Sequence, residues 1–516
     1  MKAGEGAKAM RLATESVTAP NDVLGYVTFD DVGVDFGVRE QVETVTCYMI
    51  SDKDPPRGIY VQIGDRDNGD VSFVGRILDG PFYTQKPGAY FLIELTTMLV
   101  GDHRTVVQTR PKPASPVKLL EPKDVQSYVG ATGDFTIGRL LGQSNVEIAI
   151  DSAGLNRHIG IFGTTGGGKS NSLQVITEEA SEARRAVLIF DIEGEYVAMN
   201  EPTDALIPLL SRFGKKPKGM KNFQVYVPAP NSSKNIDAKK FGIPFSEIDL
   251  EIFSEVMGLT PFERVYLYDI ARKTKEISQA FRSYSIGSVV DVLKKRIDAQ
   301  IDRASLPEAV AEAHMGLYTK LSLVSRSGIL DAHQAGEVFD RIPPEDFCVP
   351  GRISVIDVSE SSDMVRNICI AHLLKQIFDY KTRVVDAPPI LIFVEEIHTF
   401  LSRAKRRTMT ATLTMLTEMA RKGRKRGIGL GFVSQQPSLV PSELIELCNT
   451  RFMHRTSSEP NLAVLRKSTG NVPDSLWSLL PSLGNGEVLI ASPKFYHAVV
   501  AQIRPNMSRR LRVEYT

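Results

Sequence analysis

Eight residues, Gly163-Thr164-Thr165-Gly166-Gly167-Gly168-Lys169-Ser170, complete the pattern G-x-x-x-x-G-K-[ST]. RHIGIF before them reads as a buried strand, and NSLQVITEEA after them reads as a helix. A buried strand that turns through glycines into a helix is the unit of a parallel α/β sheet, so the motif restricts the fold class. The chemistry accounts for the spacing. Glycines let the backbone N–H groups wrap an anion, and the helix N-terminus adds a favourable dipole. Gly163, Thr164, Thr165, Gly166, Gly167, Gly168, Lys169, Ser170 and Asn171 are the candidate phosphate cradle. Lys169 is expected on the β/γ-phosphates and the Ser170 hydroxyl on Mg²⁺, so ATP and Mg²⁺ are the expected cofactors.

Buried apolar runs recur downstream, in AVLIFDIEG, ISVIDVSE, PILIFVEEIH, IGLGFVSQQ and GEVLIASP, with helical stretches between them. The run ILIFV ends in Glu395-Glu396. A strand ending in two acids is by itself as readily a surface turn. Beside a P-loop it reads as a Walker B pattern with Glu in the place usually held by Asp. Glu395 is expected in the Mg²⁺ shell through water, and Glu396 is expected to orient and deprotonate the attacking water. Gln435 stands at the end of the next strand, where it can sense the γ-phosphate or, more plainly, cap a loop.

A chain of 516 residues exceeds one compact core. Residues 1–22 read as a polar tail. Residues 23–120 carry short alternating strands with Gly/Pro/Asp turns, the signature of a small β-barrel or sandwich. Residues 133–234 and 346–505 read as two parts of one α/β core. Between them, 235–345 show apolar residues three and four apart, a helical insertion. Residues 506–516 read as a tail. The four cysteines, Cys47, Cys348, Cys369 and Cys448, form no CxxC pair, which suits reduced, buried thiols in a cytoplasmic protein. No run reaches about 18 apolar residues, so no membrane span is expected.

Taken together, RHIGIFGTTGGGKSNS, FDIEGEY, LIFVEEIHTF, ARKGRKRGIGLGFVSQQPS and GEVLIAS resemble the HerA family of DNA-translocating ATPases, within the FtsK/HerA group. The family usually shows D-x-H-G-E-Y, and here Glu193 stands where the His is expected. The resemblance spans residues from about 133 to 505. It implies a RecA-like P-loop core, an N-terminal HAS-barrel-like domain and a homohexameric ring with nucleotide between subunits. Double-stranded DNA in the channel is implied too, along with a NurA-like nuclease partner in end resection or another effector in phage defence.

Within a ring, one subunit can donate an arginine finger to its neighbour. Arg421 and Arg424, in the run Arg421–Arg426, and Arg157, before the P-loop strand, are the candidates. The run follows a helix whose end is expected at the strands' carboxyl edge. Arg403, Lys405, Arg406 and Arg407 form a second basic group suited to DNA phosphates. With a formal net charge of only +1, any DNA contact has to be local in this way. A solvated surface is the plain alternative for each group. His158 and His398 have no partner at metal spacing, and Trp477 stands in a loop-like stretch. The function expected is an ATP-driven double-stranded DNA translocase or helicase. The alternatives are a conjugation- or secretion-type ATPase and a nucleotide-gated assembly platform.

Overall fold

A computed structural model describes residues 23–28, 45–83, 88–277, 285–301, 307–331, 333–334 and 337–511. The expected tail at 1–22, and residues 29–44 of the first strand-like run, lie outside the described residues.

The first seven strands are β1 (Val23–Thr28), β2 (Val45–Ser51), β3 (Tyr60–Gly64), β4 (Val71–Tyr83), β5 (Ala89–Val100), β6 (His103–Thr105) and β7 (Pro116–Leu119). They pair in the order β2-β1-β7-β3-β4-β5-β6, and β2 also pairs with β5, which closes six of them into a barrel. Alternate residues such as Val61, Ile63, Phe73, Ile77, Phe91, Ile93 and Val117 fill its interior. This is the period-two pattern that made the segment read as strands. The barrel is bolted to the rest of the chain by buried polar contacts. Arg76 and Glu94 pair at 2.7 Å, with Ser475 bonded to both, and Tyr60 bonds His497 at 2.7 Å.

The remaining chain is built on one twelve-stranded sheet. Its strands are β8 (Phe135–Leu140), β9 (Gln143–Ile150), β10 (Ile159–Phe162), β11 (Ala186–Asp191), β12 (Phe223–Pro228), β13 (Lys239–Phe241), β16 (Ile353–Asp357), β17 (Ile390–Val394), β18 (Ile428–Ser434), β19 (Thr450–Met453), β20 (Glu487–Ala491) and β21 (Val499–Ile503). β14 (His333–Gln334) and β15 (Glu337–Val338) form a separate hairpin. The order is β13-β12-β16-β11-β17-β18-β10-β19-β20-β21-β8-β9. From β13 to β19 every pairing is parallel, and from β19 to β9 every pairing is antiparallel. β10, β11, β16, β17 and β18 are buried at every residue. Helices cover both faces, so these strands show no alternation in sequence. This is an α/β RecA-like core. Between its two parts stand the helices Leu250–Val256, Pro261–Ile277, Ile286–Ile301 and Glu308–Arg326, packed through Leu267, Ile270, Val289, Leu293, Leu317, Leu321 and Val324.

Glu255 ties this helical insertion to the sheet. It is 4% exposed, and its carboxylate accepts from the amides of Ala411 and Thr412 (2.8 Å each) and from the hydroxyls of Thr410 and Thr412. It therefore caps helix Thr410–Arg426, whose own N-cap, Met409, offers no side-chain acceptor.

Residues 506–511, which have only a tail's composition, are strapped along the P-loop helix Lys169–Glu182. The Arg504 guanidinium, 1% exposed, donates to Glu178 and Glu179 at 2.8 Å each. Glu178 also accepts from the amides of Met507 and Ser508, and Gln174 donates to the Ser508 carbonyl. Among the described residues no helix is long and apolar enough to cross a membrane.

Candidate active site

The strand registers bring the expected site residues to one place. Phe162 ends β10 opposite Ser434 of β18 and Met453 of β19. Val394 of β17 lies opposite Phe432 and Phe190. The P-loop, Glu395, Glu396 and Gln435 therefore all leave the sheet at its carboxyl edge, where ligands of such sheets bind. β18 lies between β10, which leads into the P-loop, and β17, which leads into Glu395-Glu396. It fits there because Gly431 has no Cβ to collide with the Phe393 ring.

The P-loop is shaped by Gly163, Gly166 and Gly168, all at positive φ. A Cβ on Gly163 would stand 2.6 Å from the Cβ of His454, so the loop needs its glycine there for space as well as for conformation. Thr164 donates from its amide (2.9 Å) and its hydroxyl (3.0 Å) to the Arg455 carbonyl, and the Gly486 amide donates to the Gly167 carbonyl (3.2 Å). The amides of Lys169, Ser170 and Asn171 precede the first helical hydrogen bond, Ser172 to Gly168, so they face the mouth as donors. The Asn171 side chain bonds the Arg504 carbonyl and the Asn506 amide, so Asn171 has only its own amide to offer a phosphate.

Lys169 curls back over the loop to the Thr164 carbonyl (3.2 Å) and is 7% exposed. Burial pulls its ammonium below the usual value, against the carboxylates of Glu396, Glu395, Glu195 and Glu193, which favour the charge. Glu193 thus adds negative charge to the mouth.

The twin acids face different ways. Glu396 adopts a left-handed backbone conformation (φ 39°), which turns its side chain out of the strand direction. Its carboxylate accepts from the Gln435 amide (3.1 Å) and contacts His398 Nδ1 (3.2 Å). The Gln435 side chain in turn accepts from the Thr165 hydroxyl at 2.6 Å, so acid, glutamine and P-loop form one chain of contacts. Burial opposes the charge on Glu396, but His398, the Gln435 amide and Lys169 outweigh it and hold the group below the ordinary glutamate value.

Glu395 is 5% exposed. Burial raises it well above the ordinary value, reinforced by the charges of Asp191 and Glu195. Asp191, fully buried at the end of β11, is pushed up to about 7 by burial and by Asp357. Carboxyl groups packed this closely need a proton or a cation between them. Glu195 Oε2 is buried and makes no hydrogen bond among the described residues. These donors and acceptors fit a triphosphate in the loop with a divalent cation beside it. Among the described residues no group of three or more His, Cys, Asp or Glu could hold a metal alone. That is the usual situation for Mg²⁺, which takes its remaining ligands from phosphates and water.

His454 carried no motif in the sequence, yet it underpins the loop. It is fully buried. Its Nδ1 lies 3.1 Å from the Glu487 carbonyl, so that nitrogen donates, and Nε2 accepts from the Ser172 hydroxyl (2.9 Å). Burial and the nearby Lys169 ammonium lower it to about 4, so the ring is neutral. A strand-end histidine after an apolar run was the one available signal. His158 is a second buried bolt, donating to the Ala420 carbonyl (2.7 Å) and accepting from the Leu430 amide (3.0 Å). Trp477, expected in a loop, is buried in a short helix with Arg466 over its ring.

One expectation is corrected. The run Arg421–Arg426 ends helix Thr410–Arg426 and is followed at once by Ile428, the first residue of β18. β17 and β18 are parallel, so the connecting helix must return to the amino edge. The run therefore lies at the edge opposite the P-loop. Arg157 lies at the same edge, and the His158–Ala420 bond holds the two segments together. Within one subunit Arg157, Arg421 and Arg424 are remote from the P-loop. Arg403, Lys405, Arg406 and Arg407, by contrast, are exposed and follow Glu396 at the carboxyl edge, with Arg406 paired to Glu443.

Residues 135–377 match the family described as Helicase HerA, central domain. The chain is 27% identical over 442 residues to the DNA double-strand break repair helicase HerA of Sulfolobus acidocaldarius, covering 83% of this chain and 80% of that one. It is 24% identical to the protein of the same name from Saccharolobus solfataricus, covering 76% and 72%. In fold it is similar to VirB4 of Thermoanaerobacter pseudethanolicus, with a TM-score of 0.51 and 14% identity over 72% of this chain and 96% of that chain.

Proposed function

We propose that this chain, which is similar to HerA helicases over most of its length, is an ATP-driven motor that moves along double-stranded DNA as a hexameric ring. The observation that carries the reading is the contact chain Glu396–Gln435–Thr165, which joins an acid on one strand to a glycine loop on another. The P-loop amides and Lys169 hold the phosphates of ATP. Ser170 and, through water, Glu395 would hold Mg²⁺, which would supply charge to neutralise the phosphates. Glu396 takes the proton of the attacking water, and Gln435 reports the γ-phosphate to the P-loop through Thr165.

A P-loop at one sheet edge and arginines at the other suit head-to-tail packing. In a ring the amino edge of one subunit then faces its neighbour's nucleotide, and Arg157, Arg421 and Arg424 supply the finger. The exposed basic segment 403–407 follows Glu396 after one short helix, Ile397–Phe400, so a change at the nucleotide is transmitted to residues that grip DNA phosphates. Such contacts carry no sequence information, as a translocating motor requires. A nuclease acting on DNA ends is the partner class that fits the reading.

The test is ATPase rate with and without duplex DNA. Duplex is expected to stimulate turnover. Replacing Arg403, Lys405 and Arg407 together by Ala is expected to remove the stimulation and to flatten the salt dependence of DNA binding by roughly 0.9 log units per log salt for each lost phosphate contact. A rate indifferent to duplex, with an effector bound tightly, would instead support an assembly platform.

A further inference from the structure

The segment Asp191–Tyr196 lies outside the P-loop, yet it closes around Glu395. Phe190 lies opposite Val394, so Asp191 and Glu395 leave adjacent parallel strands side by side. Asp191 Oδ1 accepts from the amides of Gly194 (2.8 Å) and Glu195 (3.1 Å), and Oδ2 accepts from that of Tyr196 (2.8 Å). These three bonds fold the chain into a tight turn. Gly194 sits at φ +70°, and a Cβ there would press on Ser359. The turn returns Tyr196 beneath β17, fully buried, with its hydroxyl donating to Glu395 Oε1 at 2.8 Å. The Ile192 amide approaches Oε2 at 3.4 Å.

We infer that Tyr196 is a positioning residue that fixes the Glu395 carboxylate for the Mg²⁺ shell, with Asp191 as the fold of the clamp. The inference rests on the ATPase reading of the site. A carboxylate has about four acceptor positions, and the clamp takes one on each oxygen, leaving the others for water on the cation. Without the phenol the carboxyl group can turn about its terminal torsion, which has a broad profile and no strong preference of its own. A buried tyrosine hydroxyl must find an acceptor, and here the acceptor is a group placed for chemistry and not a backbone carbonyl.

The test uses the full chain. Tyr196→Phe keeps the ring and removes only the clamp. It is expected to keep KM for ATP within about twofold, to lower kcat about tenfold, and to raise the Mg²⁺ concentration for half-maximal rate about fivefold. In a Glu396→Gln background, where turnover is removed, the thermal shift produced by ATP should need correspondingly more Mg²⁺. Glu395→Gln should give the same Mg²⁺ signature, and adding Tyr196→Phe to it should change little more. If Tyr196→Phe does not fold, Glu395→Gln still decides, because an unchanged Mg²⁺ requirement there overturns the clamp. Wild-type kinetics in Tyr196→Phe, or full additivity of the two changes, also overturns it. Turnover by Glu396→Gln would instead remove the underlying assignment of the site.

Discussion

Glu396→Gln is expected to bind ATP about as tightly as the natural protein and to hydrolyse it roughly 10²–10⁴-fold more slowly. Glutamine preserves the shape that accepts from the Gln435 amide, so the contact chain to Thr165 and the P-loop persists. It removes the only feature a base needs, a carboxylate that takes a proton. Nucleotide binding by isothermal titration and turnover by phosphate release separate the two effects. A variant that still turned over at the natural rate would end the assignment. The pH profile carries the same information. The folded Glu396 is held below the ordinary glutamate value of 4.5, so its base form is complete above that value and is lost only as pH falls through the lower folded value. The acid limb of kcat/KM arising from this group should therefore lie below about 4.5, leaving activity flat in that respect from pH 6 to 8.

Arg504→Ala is expected to cost about 3–5 kcal/mol of local stability, because it leaves Glu178 and Glu179 buried without their shared cation. Glu179 keeps Lys215 at 3.1 Å, but Glu178 is left with only the amides of Met507 and Ser508 and the Ser508 hydroxyl. The loss should appear as roughly 10²–10⁴-fold faster amide exchange along helix Lys169–Glu182, and with it weaker nucleotide binding. Arg504→Met combined with Glu178→Gln and Glu179→Gln should recover most of the stability, since removing the buried charges costs less than stranding Glu178. Unchanged exchange in Arg504→Ala would show that the strap does not hold the helix.

These two experiments probe features that differ in how they are written in the chain. The P-loop is contiguous, and its glycines, lysine and serine are required at fixed offsets by backbone geometry, so it can be read from eight letters. Glu395-Glu396 and Gln435 are legible for a related reason: each ends an apolar run too buried to be anything but a core strand. The barrel shows through the alternation of its strands, and the helical insertion through apolar residues at helical spacing.

What escaped reading depends on partners distant in sequence. His454 reaches Ser172 across 282 positions, and Tyr196 reaches Glu395 across 199. Tyr196 closes the run FDIEGEY and His454 follows an apolar run, but no local pattern gives either residue its partner, because that is set by which strands become neighbours. The place of the Arg421–Arg426 run is hidden for the same reason: a helix between parallel strands must run back to the amino edge, and only the sheet shows that these strands are parallel. The 506–511 segment looked like a tail because buried ion pairs and amide–carboxylate bonds, not apolar periodicity, hold it down. The sequence alone therefore determined the chemistry available at the sheet edge, since glycine conformations, a strand end and a lysine's charge act locally. Tertiary structure decided which groups meet and which way they face, because parallel pairing is made between segments that the chain itself keeps far apart.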